Sequence, residues 1–305
     1  MTEIAATAPP SPEHLTAGLV KLLTVRETGV DRFEGLKKRD GFGRVFGGQV
    51  IAQALAAAEQ TVEPDRLAHS LHAYFLRGGS EDHGIDFAVT RDFDGGSFSN
   101  RRVVASQQGR PILSLTASFH RLEQGLEHQE AVMPQVAPPD DLPNEAELRA
   151  QYADKADARV RHLFLQPRPI EIRTAEGRHW MSPQPSPPRA NSWFRSVSRL
   201  PDDPRIHRAV LAYASDMQLL GTCVLPFGLS WSRGELRSAS LDHTIWFHDD
   251  FRADEWLLYA TDSPWAARGR GFNRGSIFAQ DGRLVASVAQ EGMVRRMYPE
   301  AAKDA

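Results

Sequence analysis

Three polar residues in the second half of this 305-residue chain, Asp216, Ser240 and Gln290, are of types that could do chemistry. Asp216 falls within Pro204 to Leu220, a segment whose spacing predicts a helix. At about 100° per residue, Ala209, Tyr213, Asp216 and Leu220 share one narrow arc, flanked by Ala212, Ile206 and Met217. The carboxylate is therefore expected near the middle of an apolar face, where it must find hydrogen-bond donors or shift its pKa. It reads either as a site carboxylate with a perturbed pKa or as a structural carboxylate capping a neighbouring turn. Gln290 ends an apolar row, Leu284, Ala286 and Val288, on one face of a strand, a place open to a satisfied core amide and to a site group alike. Ser240 shares its strand face with Ser238, Asp242 and Thr244, so alternation does not single it out.

Other chemistries find less support. A serine nucleophile of the α/β-hydrolase kind needs Gly-x-Ser-x-Gly, and Gly228-Leu229-Ser230-Trp231-Ser232 fails at its last position. The single cysteine, Cys223, excludes an intrachain disulfide and lies in an apolar run that suits packing better than catalysis. His69 and His72 are three apart, and strand positions three apart face opposite sides. Gly41-Phe42-Gly43-Arg44-Val45-Phe46 lacks the third glycine of a dinucleotide fingerprint. Neither a metal nor a cofactor is expected.

The formal charge of −3 gives no electrostatic reason to expect nucleic acid or an anionic membrane as partner. Arg268, Arg270 and Arg274 nevertheless form a local cluster suited to phosphate. Met1 to Leu23 has no apolar run of the signal-peptide kind. The longest uncharged stretch, Met217 to Ser232, is shorter than a bilayer span and contains Pro226. A soluble, cytoplasmic protein without stable membrane association is expected.

The elements that must position these residues come from an internal repeat of long period. Asn100-Arg101-Arg102-Val103-Val104-Ala105-Ser106-Gln107-Gln108-Gly109-Arg110 is matched by Asn273-Arg274-Gly275-Ser276-Ile277-Phe278-Ala279-Gln280-Asp281-Gly282-Arg283, at 273 − 100 = 173. Each copy predicts a hairpin with a Gln-Gly or Asp-Gly turn. Ser70-Leu71-His72-Ala73-Tyr74-Phe75-Leu76 resembles Leu241-Asp242-His243-Thr244-Ile245-Trp246-Phe247, at 243 − 72 = 171. A helix candidate precedes each: Val45 to Gln60, and Pro204 to Leu220. Val50, Ile51, Ala52, Ala54, Leu55, Ala56 and Ala57 make the first apolar nearly all round, so it should be buried.

The expected fold is α+β: a double hotdog, two tandem hotdog domains, each with a buried central helix wrapped by an antiparallel sheet. Pro134, Pro138, Pro139 and Pro143 mark a linker, followed by a polar helical piece from Asn144 to Arg161. The expected domains are 1–123 and 166–305, joined by a linker over 124–165, with strands at Ile170 to Arg173 and Asn191 to Val197 flanking a proline-rich loop, Ser182 to Pro188. The Gly47-Gly48 pair permits close backbone approach at the first helix entrance and is a candidate substrate contact. Repeat arithmetic sets Gln49 opposite Asp216 (216 − 49 = 167) and Ala117 opposite Gln290 (290 − 173 = 117), which leaves the chemistry to the second half.

The segments Val45-Phe46-Gly47-Gly48-Gln49-Val50, His69-Ser70-Leu71-His72-Ala73-Tyr74-Phe75-Leu76-Arg77 and Ser97-Phe98-Ser99-Asn100-Arg101-Arg102-Val103 closely resemble the acyl-CoA thioesterase II family. So do Tyr213-Ala214-Ser215-Asp216, Leu241-Asp242-His243, Trp246-Phe247-His248, Glu255-Trp256-Leu257-Leu258-Tyr259 and Val285-Ala286-Ser287-Val288-Ala289-Gln290-Glu291-Gly292. The resemblance runs in order from about residue 20 to 297. It implies hydrolysis of acyl-CoA to free fatty acid and CoA, a homo-oligomer, and a water held by an Asp, a Thr or Ser, and a Gln. The matching positions are Asp216, Ser240 and Gln290. Serine in place of the family's threonine keeps the hydroxyl and loses the methyl that restricts its rotamer. Two other readings compete: an acyl-CoA hydratase or dehydratase, which would favour an Asp–His pair in one loop, and a non-catalytic acyl-CoA sensor, which would lose the water-positioning groups.

Overall fold

The structure, a computed structural model, describes residues 9–37, 43–153, 165–176, 184–231 and 233–298. The first half comprises α1 (Pro12–Leu23), β1 (Val25–Gly29), β2 (Arg32–Gly35), α2 (Gly47–Glu59), β3 (Arg66–Phe75), β4 (Ile85–Asp94), β5 (Phe98–Gln107) and β6 (Arg110–Arg121). After the connecting helix α3 (Glu145–Ala153) come β7 (Ile170–Thr174), β8 (Arg189–Ser196), α4 (Pro204–Ser215), β9 (Leu236–Ser240), β10 (Asp242–Phe247), β11 (Leu257–Ala267), β12 (Arg270–Ala279) and β13 (Leu284–Arg296). The polar linker helix is seen over Glu145–Ala153; its expected remainder, 154–164, lies outside the described residues, as do Gly41, Phe42 and residues 182–183 of the proline-rich loop.

The strands join in one sheet, in the order β1-β2-β4-β5-β6-β3-β10-β13-β12-β11-β8-β7, with β9 added on β13. At its centre β3 pairs antiparallel with β10. The sheet wraps two helices, α2 and α4, which pack on each other. Ile51, Ala52, Ala54, Leu55, Ala57 and Ala58 of α2 are all 0% exposed, as its all-round apolar sequence requires. This is the expected α+β double hotdog. By length and composition the helical run Pro204–Phe227 would suffice to cross a membrane; here its α4 portion is a core helix, buried from His207 to Ser215.

α4 ends earlier than expected. The chain leaves the α-helix at Asp216, then winds through a 3₁₀ segment, Leu219–Phe227, that ends on the left-handed Gly228. Asp216 is therefore a helix C-cap rather than a mid-helix residue.

The repeat register also differs by one residue. In the central ladder Asp242 pairs with Tyr74, Thr244 with His72 and Trp246 with Ser70. The inward and outward positions of the two strands match at an offset of 172, buried Leu71 and Ala73 answering buried His243 and Ile245 and exposed Tyr74 answering exposed Trp246, so His243 corresponds to Leu71 and not to His72. In the hairpins, Asn273 pairs with Gln290 and Arg101 pairs with Ala117. Asn273 thus corresponds to Arg101 (273 − 101 = 172), and the match with Asn100 is one residue out. A slip of one residue exchanges the faces of a strand: Asn273 and Arg101 point inward, 0% and 1% exposed, while Asn100 is only half-buried. A constant offset of 173 hid the fact that the second hairpin is one residue longer. The Gln290–Ala117 match survives, but that of Gln49 with Asp216 does not. Gln49 lies in the first turn of α2, whereas Asp216 closes α4. The helix starts are offset by 204 − 47 = 157, so about 15 residues (172 − 157) are inserted after α4, where the 3₁₀ segment runs.

Candidate active site

The turn at the end of α4 carries Asp216 to the start of α2. The N-cap of α2, Phe46, offers no capping side chain. Its place is taken from the other half of the chain: Gly48 N–H donates to Asp216 Oδ2 at 2.8 Å, so the carboxylate serves the open positive end of that helix. The Gly47-Gly48 pair makes this possible. A Cβ at position 47 would lie 2.6 Å from Asp216 Oδ2, and one at 48 would lie 2.4 Å from the Tyr213 carbonyl oxygen.

Gln290 on β13 is 0% exposed and binds both partners expected from the sequence. Its Nε2 donates to Asp216 Oδ1 at 2.6 Å and to Ser240 Oγ at 3.0 Å. Ser240 ends β9 beside a bulge: Ser240 pairs with Gly292 and Thr244 with Ala289 on β13, leaving one extra residue at Leu241. The bulge turns Ser240 toward the site and breaks the alternation that failed to mark it. All three expected residues meet here.

Burial raises the Asp216 pKa to about 6, against the opposing pull of hydrogen bonds from Gln290, Gly48 and Ser240. The group is ionised at neutral pH and still basic enough to take a proton.

His243 is a neighbour that sequence reasoning missed. It is 0% exposed, with Nδ1 3.9 Å from Asp216 Oδ1. Ser215 Oγ donates to the Ala212 carbonyl, so His243 Nε2–H is the donor in its 2.9 Å contact with Ser215 Oγ. Burial lowers the His243 pKa to about 3, so the ring is neutral. Tyr259 OH donates to the Ser215 carbonyl and secures the same turn. The motif Leu241-Asp242-His243 was visible, but matching His243 to the exposed His72 concealed that it faces inward. This Asp–His approach joins a helix end to a strand and is not the single-loop pair expected of a dehydratase.

Asp216 lines a cavity of about 470 Å³ together with Leu220, Val224, Leu225, Leu229 and Trp231. Several of these come from the inserted 3₁₀ segment, and the volume suits a small-molecule site. The arginines expected to act together are split: Arg270 is ion-paired with Glu291 and Arg274 with Asp262, while Arg268 sits at φ 54 in the β11–β12 turn. Among the described residues, no three His, Cys, Asp or Glu side chains are grouped to hold a metal ion.

Residues 159–293 match a family model described as acyl-CoA thioesterase, and residues 38–120 one described as the acyl-CoA thioesterase N-terminal domain. Acyl-CoA thioesterase 2 of Haemophilus influenzae is 37% identical over 277 residues, covering 91% of this chain and 96% of its own. The crystal structure of an acyl-CoA thioesterase II from Mycobacterium marinum is 39% identical with a TM-score of 0.74, over 92% of this chain and 98% of that one. A hot dog fold protein of unknown function from Alicyclobacillus acidocaldarius, 20% identical, shares the fold at a TM-score of 0.70, over 92% and 98% of the two chains.

Proposed function

Because this chain belongs to the acyl-CoA thioesterase II family, and so hydrolyses acyl-CoA thioesters, we propose that Asp216 is its general base and that Ser240 and Gln290 hold the attacking water. The observation that carries this reading is the bridge made by Gln290 Nε2 between Asp216 Oδ1 and Ser240 Oγ. It gathers groups from three elements around one buried carboxylate at the edge of a cavity.

The water gives a proton to Asp216 as its oxygen attacks the thioester carbon. Held in place, it reacts without the entropic cost of an encounter. The start of α2, already turned toward Asp216, is the nearest positive helix end for the developing oxyanion. Collapse of the tetrahedral intermediate breaks the C–S bond, and the departing thiolate recovers the proton from Asp216. None of these steps calls on a cofactor.

Gly47 and Gly48 act by seating Asp216 and by bringing the helix start to the reacting carbonyl. The apolar wall supplied by the 3₁₀ segment takes the acyl chain. Among the described residues Arg270 and Arg274 are ion-paired and Arg268 has no acidic partner, which leaves Arg268 to meet a CoA phosphate with the other two bordering it. We assign the non-catalytic half to 1–123, the linker to 124–165 and the catalytic half to 166–305. A homo-oligomer is supported by the aromatic side chains left exposed on the outer face of the central ladder, Tyr74 and Trp246. The lone cysteine agrees with a cytoplasmic setting, and the packing of α4 in the core with no stable membrane association. A thiol-release assay across acyl-CoA chain lengths tests the proposal: Gln290→Ala should lower kcat at nearly constant KM, and a change in KM alone would remove the water-holding role.

A further inference from the structure

We infer that Arg237, Arg268 and Arg295 form the subsite that grips the phosphates of the CoA moiety, an inference that rests on the acyl-CoA reading above. Arg237 on β9 and Arg295 on β13 are directly paired across the ladder. Like charges placed opposite one another destabilise a sheet, and both side chains are exposed with no hydrogen bond or acidic partner among the described residues. The turn that carries Arg268 approaches the same strand end through its next residue, Gly269. Val294 N–H donates to the Gly269 carbonyl at 2.8 Å, and a Cβ on Gly269 would lie 4.0 Å from Arg295 Cγ.

The nearby acids are already engaged. Glu235 is paired with Arg233, and Glu291 with Arg270. Three guanidinium groups without an acidic partner among the described residues, carried to one sheet corner, suit a ligand with several negative charges, because each can donate two charge-assisted hydrogen bonds to phosphate oxygens.

The position also fits the substrate. Arg237 lies three residues before Ser240, and Arg295 three residues after its partner Gly292. At about 3.3 Å per residue, the cluster is roughly 10 Å along the ladder from the water-holding groups. Among the described residues β9 pairs with β13 alone and its other edge carries no further strand. A pantetheine arm can cross that edge from the inner face, where the thioester reacts, to the outer face, where Arg237 and Arg295 project.

The test is the double variant Arg237→Gln/Arg295→Gln, assayed on acyl-CoA and on the same acyl group carried by pantetheine, which has no phosphate. KM for acyl-CoA should rise about tenfold or more at unchanged kcat, the scale of losing charge-assisted hydrogen bonds. The salt dependence of that KM should flatten. Constants for acyl-pantetheine should match the wild type, which also reports an intact fold. An equal change on both substrates, or none on acyl-CoA, would overturn the subsite. If the wild type cleaved neither thioester, the hydrolase reading itself would fall, a result separate from the behaviour of the variant.

Discussion

The local two-fold of the central ladder lets the two halves be compared position by position. Its offset of 172 carries Ser240 onto Ala68 and His243 onto Leu71, and the offset of 173 on the last strand carries Gln290 onto Ala117. These three polar positions are apolar in the first half, and Asn273 is answered by Arg101. That arginine is among the largest fully buried side chains; it bonds Thr61 Oγ1 and the Thr61 carbonyl just beyond α2, and pairs with Asp94. The helix starts differ in the same sense. α4 is capped by its own Asp203, which accepts from Arg205 N–H at 2.9 Å, whereas α2, whose N-cap Phe46 offers no side chain, is capped by Asp216 from the other half. A helix start that caps itself is occupied. One left open can hold a catalytic carboxylate and face a substrate.

If the halves differ in this way, Asp216→Asn should give the largest loss. Turnover should fall by roughly two to four orders of magnitude, the range expected when a positioned base is removed. A variant retaining about half its turnover would mean that the first half is catalytic too. Next come the water-holding groups. Gln290→Ala should lower kcat by about a hundredfold, because misplacing a reacting group costs on that scale. Ser240→Ala should cost less, since Asp216 keeps its Gln290 and Gly48 donors. Steady-state kinetics showing a KM effect alone for both variants would break the assignment.

How far the sequence could reveal this contrast depended on the kind of signal. The buried helix was legible from its all-round apolar run, and the hairpins from their turns, because those patterns are local. Gln290 stood out as an amide ending an apolar row. The rest required geometry. Asp216 could be flagged as a buried carboxylate, but not as a C-cap, since the Pro204-to-Leu220 periodicity continues past the point where the helix ends. Ser240 owes its orientation to a bulge that alternation cannot show. Leu71, not His72, answers His243 because a one-residue register choice is fixed only by pairing across strands.

Acidity should sharpen the comparison more gently. With the Asp216 pKa raised to about 6 by burial, kcat/KM should be flat near neutrality and fall about tenfold per unit below pH 6, as the base becomes protonated. The limb should vanish in the residual activity of Asp216→Asn. A limb near the ordinary carboxylate range would mean that another group limits the rate. A strong chelator should leave the rate unchanged at every pH; activity lost to chelation and restored by a divalent ion would replace this mechanism.

The smallest effect on activity is expected at Glu59, the last residue of α2 and the first-half counterpart of the end of α4. It too is a buried carboxyl, 4% exposed, facing the start of the other helix. Burial raises its pKa to about 8, with Arg205 and Arg208 pulling weakly downward. It is therefore protonated at neutral pH and cannot act as a base there. A carboxyl whose pKa is higher in the folded chain than in the unfolded one favours folding fully only below the unfolded value, and loses that contribution as pH rises through the folded value. Replacing it with the neutral Glu59→Gln should therefore change little near pH 4.5. The gain in stability should then grow across pH 5 to 8 to a few kcal/mol, about 1.4 per pH unit, seen as a rising difference in Tm. Turnover should remain that of the wild type throughout. A Glu59→Gln variant that lost activity on the scale of Asp216→Asn would place chemistry at both helix ends, and the asymmetry between the halves would be gone.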